Sequence, residues 1–131
     1  MKSTIAYGLA GLLATTMVFG TVEDLVANYR LTGAGPFSAD AGRTAWLREH
    51  QAPDGGAARS CASCHGTDLG RPGRHVKTGK MIGPMALSAS SSRLSDPKKV
   101  EKWFLRNCRW TLGRECTAQE KGDFIQFMSS R

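Results

Sequence analysis

Two thiols and an imidazole stand together in Cys61-Ala62-Ser63-Cys64-His65. Three chemistries use such a group. A dithiol can cycle with its disulfide, cysteine and histidine can hold zinc, and a Cys-x-x-Cys-His run can take haem c covalently. In the last case the thiols add across the haem vinyl groups as thioethers, and the adjacent histidine reaches the iron from one face. A thioredoxin-type disulfide belongs to a βαβ setting, and no strand-like alternation appears in the sequence. Zinc needs two further ligands at suitable spacing; the other cysteines, Cys108 and Cys116, do not form a second Cys-x-x-Cys pair. The expectation is therefore one covalent haem c, held by Cys61 and Cys64 with His65 as proximal ligand.

The opposite axial position has more claimants: His50, His75, Met81, Met85, Met128 and Asn107. Met85, in Gly83-Pro84-Met85, suits a thioether ligand, although it follows His65 early for that role and methionine is common core filling. His50 and His75 sit in charged or glycine-rich surroundings that favour solvent. Counting by three and four from Asp96 places Val100, Trp103, Phe104 and Asn107 along one helix face. Burying an asparagine amide without a partner costs ~1–3 kcal/mol, and iron would be one partner. An asparagine that merely ends the helix and turns the chain is the other explanation. The pattern alone leaves both open.

These residues must be positioned by a chain of 131 residues, within the size of one domain. Met1-Lys2 gives a basic start, and Ile5 to Phe19 is apolar or small without charge. That run is shorter than the ~20 residues a bilayer span requires. Val18 and Gly20 supply the small residues a signal peptidase accepts. Residues 1–20 are thus expected to be a cleaved secretory signal and 21–131 the mature domain, not membrane-spanning after cleavage; an uncleaved anchor is the alternative. In an exported, oxidising compartment (the periplasm) free thiols do not persist. Four cysteines could pair in three ways, but a haem on the first pair leaves Cys108 to bond with Cys116. A formal charge of +7 in an exported protein points to acidic redox partners or an anionic surface, or simply to solubility, and not to nucleic acid.

The spacing predicts four helices in an all-α single domain. The first covers Val22 to Leu31. The second is capped by Ser38, carries Ala41, Ala45, Trp46 and Leu47 as its apolar stripe, and stops at Pro53-Asp54-Gly55-Gly56. Asp96-Pro97 opens the third, which runs to about Cys108. Thr117-Ala-Gln-Glu120 is a capping-box pattern for the last, with Phe124, Phe127 and Met128 on one face. Between Gly66 and Ser95 little periodicity is visible. So long an irregular stretch is unusual in a compact domain unless it serves something, and wrapping a flat cofactor would explain it.

Val100-Glu-Lys-Trp-Phe-Leu-Arg-Asn107-Cys108, followed by Gly113-Arg-Glu-Cys116-Thr-Ala-Gln-Glu-Lys121, resembles the C-terminal signature of the sphaeroides haem protein (SHP) family. Thr78-Gly-Lys80, Pro84-Met-Ala86 and Arg93 are similar to its middle segment. The resemblance implies a small class I-like cytochrome c fold of about four helices around one haem. It also implies His65 and Asn107 as axial ligands, a Cys108–Cys116 disulfide, and a Met85 region that supplies no ligand. An amide oxygen is a hard donor that suits ferric iron better than ferrous. The function so implied is binding of diatomic gases (O₂, NO, CO) at reduced haem, electron transfer with other periplasmic or membrane cytochromes, or both. Trp103 and Phe104 would border the gas position, unless they pack as ordinary core. The alternatives are an electron-transfer cytochrome with Met85 as ligand, and a haem-free disulfide-stapled module. No catalytic acid or base stands out, so an electron carrier or gas binder is expected over a dedicated enzyme. Arg71, Arg74, Lys77 and Lys80 would pair with haem propionates or remain in solvent.

Overall fold

The computed structural model describes residues 20–131; residues 1–19 of the expected signal lie outside the described residues. Five helices follow in order: α1 (Val22–Leu31), α2 (Ala39–Leu47), α3 (Ala62–His65), α4 (Pro97–Leu112) and α5 (Ala118–Ser129). Each long helix begins where its cap is written. Thr21 and Thr117 form complete capping boxes with Asp24 and Glu120. The Ser38 and Asp96 side chains accept from the Ala41 and Lys99 amides. Such caps satisfy amides that have no partner inside the helix.

α4 runs a turn beyond the expected end near Cys108, because nothing breaks it before Gly113, whose φ of +74° closes it in a left-handed cap. The expectation of no strands is corrected by a short antiparallel pair, β1 (Gly73–Arg74) with β2 (Met81–Ile82). Strands of two residues are too short to write an alternation, so periodicity could not find them.

α2 and α1 both pack on α5. The face α2 turns to α5 is Gly42, Ala45 and Trp46, whereas Ala41 and Leu47 are exposed, contrary to the stripe expected from residue type. A Cβ on Gly42 would lie 2.9 Å from Phe127 Cβ and closer still to the Asp123 carbonyl. Phe124, Phe127 and Met128 of α5 are buried as expected, with Leu25, Tyr29, Trp46, Leu69, Ala86 and Leu94 around them. The buried Asp123 is satisfied by the Ser38 amide at 2.8 Å and the Gln119 side chain at 3.1 Å. Burial and the Glu101 carboxylate that accepts its hydroxyl push Tyr29 well above the usual phenol range. Glu101 also pairs with Lys121 at 2.6 Å, so α1, α4 and α5 meet at one carboxylate.

Arg114 at 2.7 Å, helped by the Thr117 cap, holds the Glu120 carboxyl at about 2 against an ordinary 4.5. A depressed carboxylate stabilises the fold above its unfolded pKa, and that contribution disappears as pH falls through the folded one. Stability contributed by Glu120 is therefore expected to fade between about pH 4.5 and 2. In acid-unfolding curves, Glu120→Gln should flatten this limb; an identical limb in the variant would remove Glu120 from the account.

Candidate haem-binding site

Cys61 to His65 form one helical turn. The Cys61 carbonyl accepts from the His65 amide at 3.0 Å, and the Ser63 hydroxyl accepts from the Ser60 amide at 2.9 Å at its entrance. Gly66, at φ +77°, ends the turn. Two elements brace it. Gly73 of β1 lies against its back, where a Cβ would come within 2.7 Å of His65 Cα. Trp46 of α2 donates its indole N–H to the Gly66 carbonyl at 3.0 Å, with its ring 5.3 Å from the imidazole. Trp46 stands in the sequence only as an apolar residue. Its single N–H, which must find an acceptor when buried, was the signal of a second role.

Burial first, and then the nearby Arg93 guanidinium, pull His65 down to about 4. The imidazole is therefore neutral at neutral pH, the form that ligates a metal. Its Nδ1 is buried with no hydrogen-bond partner, so no structural bond claims this atom. Cys61 and Cys64 are not joined to each other. Burial pushes the Cys61 thiol up to about 11, whereas dithiols that cycle with disulfides depend on a lowered pKa. Among the described residues no three of His, Cys, Asp or Glu converge to hold a metal ion, which leaves a zinc site without ligands. Two unpaired thiols and a neutral imidazole on one turn, whose Cys61 and Ala62 pack against the apolar core, fit a covalently attached haem.

The face of α4 differs from the one expected. Its buried line is Pro97, Val100, Cys108 and Thr111, with Phe104 half-buried, while Trp103 (46 % exposed) and Asn107 lie on the edge beside that line, uncovered by other parts of the chain. Positions 103 and 107 share an edge one residue short of the 100–104–108 row, so the core takes Cys108 and leaves Asn107 outside. Arg106 covers the Trp103 ring at 5.1 Å. Phe104 stacks on Phe124 at 6.2 Å, and Phe124 meets Trp46 at 6.1 Å; the ring chain thus runs from α4 to the tryptophan beside His65. The Cys108 and Cys116 sulfurs are at bonding distance, with Cα atoms 5.6 Å apart. Closing so short a loop contributes ~2–3 kcal/mol in the chain-entropy model.

The other ligand claimants are spread over the fold. Met85 packs partly buried against the core, its amide bonded to the Leu69 carbonyl at 2.9 Å. Met128 is core, and Met81 is exposed. His75 accepts the Lys77 and Thr78 amides at Nδ1, at 3.3 and 3.2 Å, and His50 pairs with Arg59 in an isolated bridge. Of the basic residues considered for propionates, Lys77 pairs with Asp54 and Arg74 donates to the Gly79 carbonyl at 3.0 Å; Arg71 and Lys80 are exposed. Arg93 clamps the Pro84 carbonyl twice, at 3.0 and 2.7 Å. It fixes the loop before Met85, a role that no local pattern announces.

A helical fold with α2 and α5 packed together, a braced Cys-x-x-Cys-His turn and a neutral histidine define a monohaem c-type cytochrome. A family profile described as a domain of unknown function (DUF1924) matches residues 32–128. The cytochrome c-type protein SHP of Cereibacter sphaeroides is 36% identical over 127 residues, covering 94% of this chain and 95% of that protein. A structure described as oxidized SHP, an oxygen binding cytochrome c, superposes with a TM-score of 0.75 at 38% identity, covering 83% of this chain and 96% of that one. The solution structure of Methylophilus methylotrophus cytochrome c'', described as giving insight into haem-ligand detachment, has a TM-score of 0.69 at 33% identity, covering 81% and 90%. The chain belongs to the SHP family of c-type cytochromes, and its cofactor is one covalent haem c. No helix among the described residues is long and apolar enough to cross a membrane.

Proposed function

We propose that this protein is an exported, periplasmic cytochrome, residues 21–131 after loss of a signal at 1–20, whose asparagine ligand detaches on reduction. Cys61 and Cys64 would tether the haem, and His65 and Asn107 would hold its iron. When bound, the haem would supply redox chemistry and a place for a diatomic gas. The observation that carries this reading is the placement of Asn107. It stands on α4 directly before Cys108, whose bond to Cys116 fixes the helix there, in a chain whose relative SHP is described as oxygen binding. Detachment moves only the side chain and leaves the helix backbone in place. Cys108–Cys116 holds the backbone of the next residue through that movement. Trp103 and Phe104 border the gas position, with Trp103 on the same edge as Asn107. The basic surface suits acidic partners among periplasmic or membrane cytochromes.

Optical spectra of the oxidised and reduced holoprotein, with and without CO or NO, test the proposal. Ferric low-spin iron without a sulfur charge-transfer band, becoming high-spin on reduction and then binding CO, is the expected result. A sulfur-to-iron band in the ferric protein, or ferrous iron that refuses CO, would replace this reading with a Met85-ligated electron carrier.

A further inference from the structure

The end of α4 is held from two sides. One hold is Cys108–Cys116. The other involves Arg59, two positions before the first haem-binding cysteine. Its backbone makes two 2.9 Å hydrogen bonds with His50, closing the segment from 50 to 59 on itself. Its side chain is buried to 7 % exposure. Nε donates to the Trp110 carbonyl at 3.0 Å, and the guanidinium lies 3.6 Å from the centre of the Trp110 ring. Nη2 pairs with Asp54 at 3.2 Å, and Asp54 takes Lys77 on its other oxygen. On the same tryptophan rests the His75 ring, at 5.4 Å. Pro53 closes the contact from below, 3.2 Å from where a Cβ of Gly113 would stand.

Only a flat guanidinium can stack on an indole while donating along its edge; a lysine ammonium cannot do both. A buried arginine also requires a paired carboxylate, which Asp54 provides. The segment that runs straight into Cys61 is thereby bolted to the helix turn that follows Asn107.

We infer that Arg59 is a positioning residue, whose clasp on Trp110 holds the end of α4 in register with the Cys61–His65 turn so that Asn107 returns to its ligating place after each detachment. This rests on the reading of Asn107 as the ligand. The test uses ferric holoprotein, with stopped-flow oxidation of the reduced form to follow religation. Arg59→Gln and Trp110→Leu should each raise the high-spin ferric fraction and slow religation about tenfold, the scale set by one lost charge-assisted hydrogen bond or stacked cation. The double variant should add little to either alone. Arg59→Lys should recover thermal stability through Asp54 but not the religation rate. Should Arg59→Gln fail to assemble, Trp110→Leu, which removes the stacked ring and keeps the backbone carbonyl, carries the measurement. Variants that melt earlier, or shift only the reduction potential, while keeping wild-type spin state and religation rate would overturn the inference and mark Arg59 as a structural or propionate-pairing residue. Asn107→Ala separates the two levels. If it leaves the ferric spectrum unchanged, the ligand reading fails and the clasp with it; if it changes the spectrum while the Arg59 and Trp110 variants do not, only the clasp fails.

Discussion

Asn107→Ala is expected to turn the ferric protein from low-spin to high-spin while leaving the reduced protein as it was. The amide oxygen is a hard, neutral donor that ferric iron tolerates and ferrous iron holds poorly, so the side chain matters in one oxidation state only. In the ferric wild type an external ligand such as azide or imidazole binds only the fraction of molecules in which Asn107 has let go, and its apparent affinity is reduced by that fraction. If the open form is a few per cent of the population, removing the side chain should tighten ferric azide binding by about ten- to hundredfold. CO affinity of the reduced variant should stay within about twofold of wild type, since that position is already open. Loss of fold is not a competing explanation. In the reduced protein, where Asn107 would be off the iron in both forms, alanine is the better helix former by about 0.5 kcal/mol, so the reduced variant should melt no earlier than reduced wild type. Optical titration of both oxidation states decides it. An unchanged ferric spectrum, or equal azide affinity in variant and wild type, would remove Asn107 from the iron.

The haem turn could be read directly because its five residues are contiguous, and the chemistry of attachment dictates their types. The caps of the long helices were equally legible: Thr21 aside, each of Ser38, Asp96 and Thr117 opens a helix where its residue type says it should. The face of α4 was not. Periodicity placed Val100, Trp103, Phe104 and Asn107 together, but a stripe a hundred degrees wide accommodates either row, and the choice was made by tertiary packing of Cys108 against the core. The partners of Arg59 lie at positions 54 and 110, from different parts of the chain. Such a convergence has no signature in any local window. Met85 shows the opposite difficulty, since a Gly-Pro-Met loop suits a ligand by local pattern while the side chain packs partly buried against the core. Only the family resemblance implies that it supplies no ligand; the local pattern does not distinguish the two roles.

The largest effect on stability should come from one methyl group. Gly42 sits where α2 meets α5, and an alanine Cβ there would stand 2.6 Å from the Asp123 carbonyl carbon and 2.9 Å from Phe127 Cβ. Real side chains do not approach backbone so closely, and neither neighbour is the free end of a flexible chain, so the helices must separate. Overpacking of this kind costs typically ~1–3 kcal/mol, occasionally more, and a collision with backbone belongs at the upper end. Alanine gains back about 1 kcal/mol of helix propensity over glycine. A net loss of about 2 kcal/mol is expected, which lowers the melting temperature of a domain this size by roughly 8–16 °C. Ala41→Gly, at an exposed position of the same helix, measures propensity alone and should cost about 1 kcal/mol. Gly42→Ala melting at or above wild type would mean that the α2–α5 contact is looser than the structure shows. The consequence reaches the haem side as well. Trp46 lies one turn along from Gly42 and holds the Gly66 carbonyl at 3.0 Å. A displaced α2 should weaken that bond and loosen the turn carrying His65. Gly42→Ala should therefore show faster amide exchange at Gly66 and its neighbours, whereas Ala41→Gly, which leaves the crossing intact, should not.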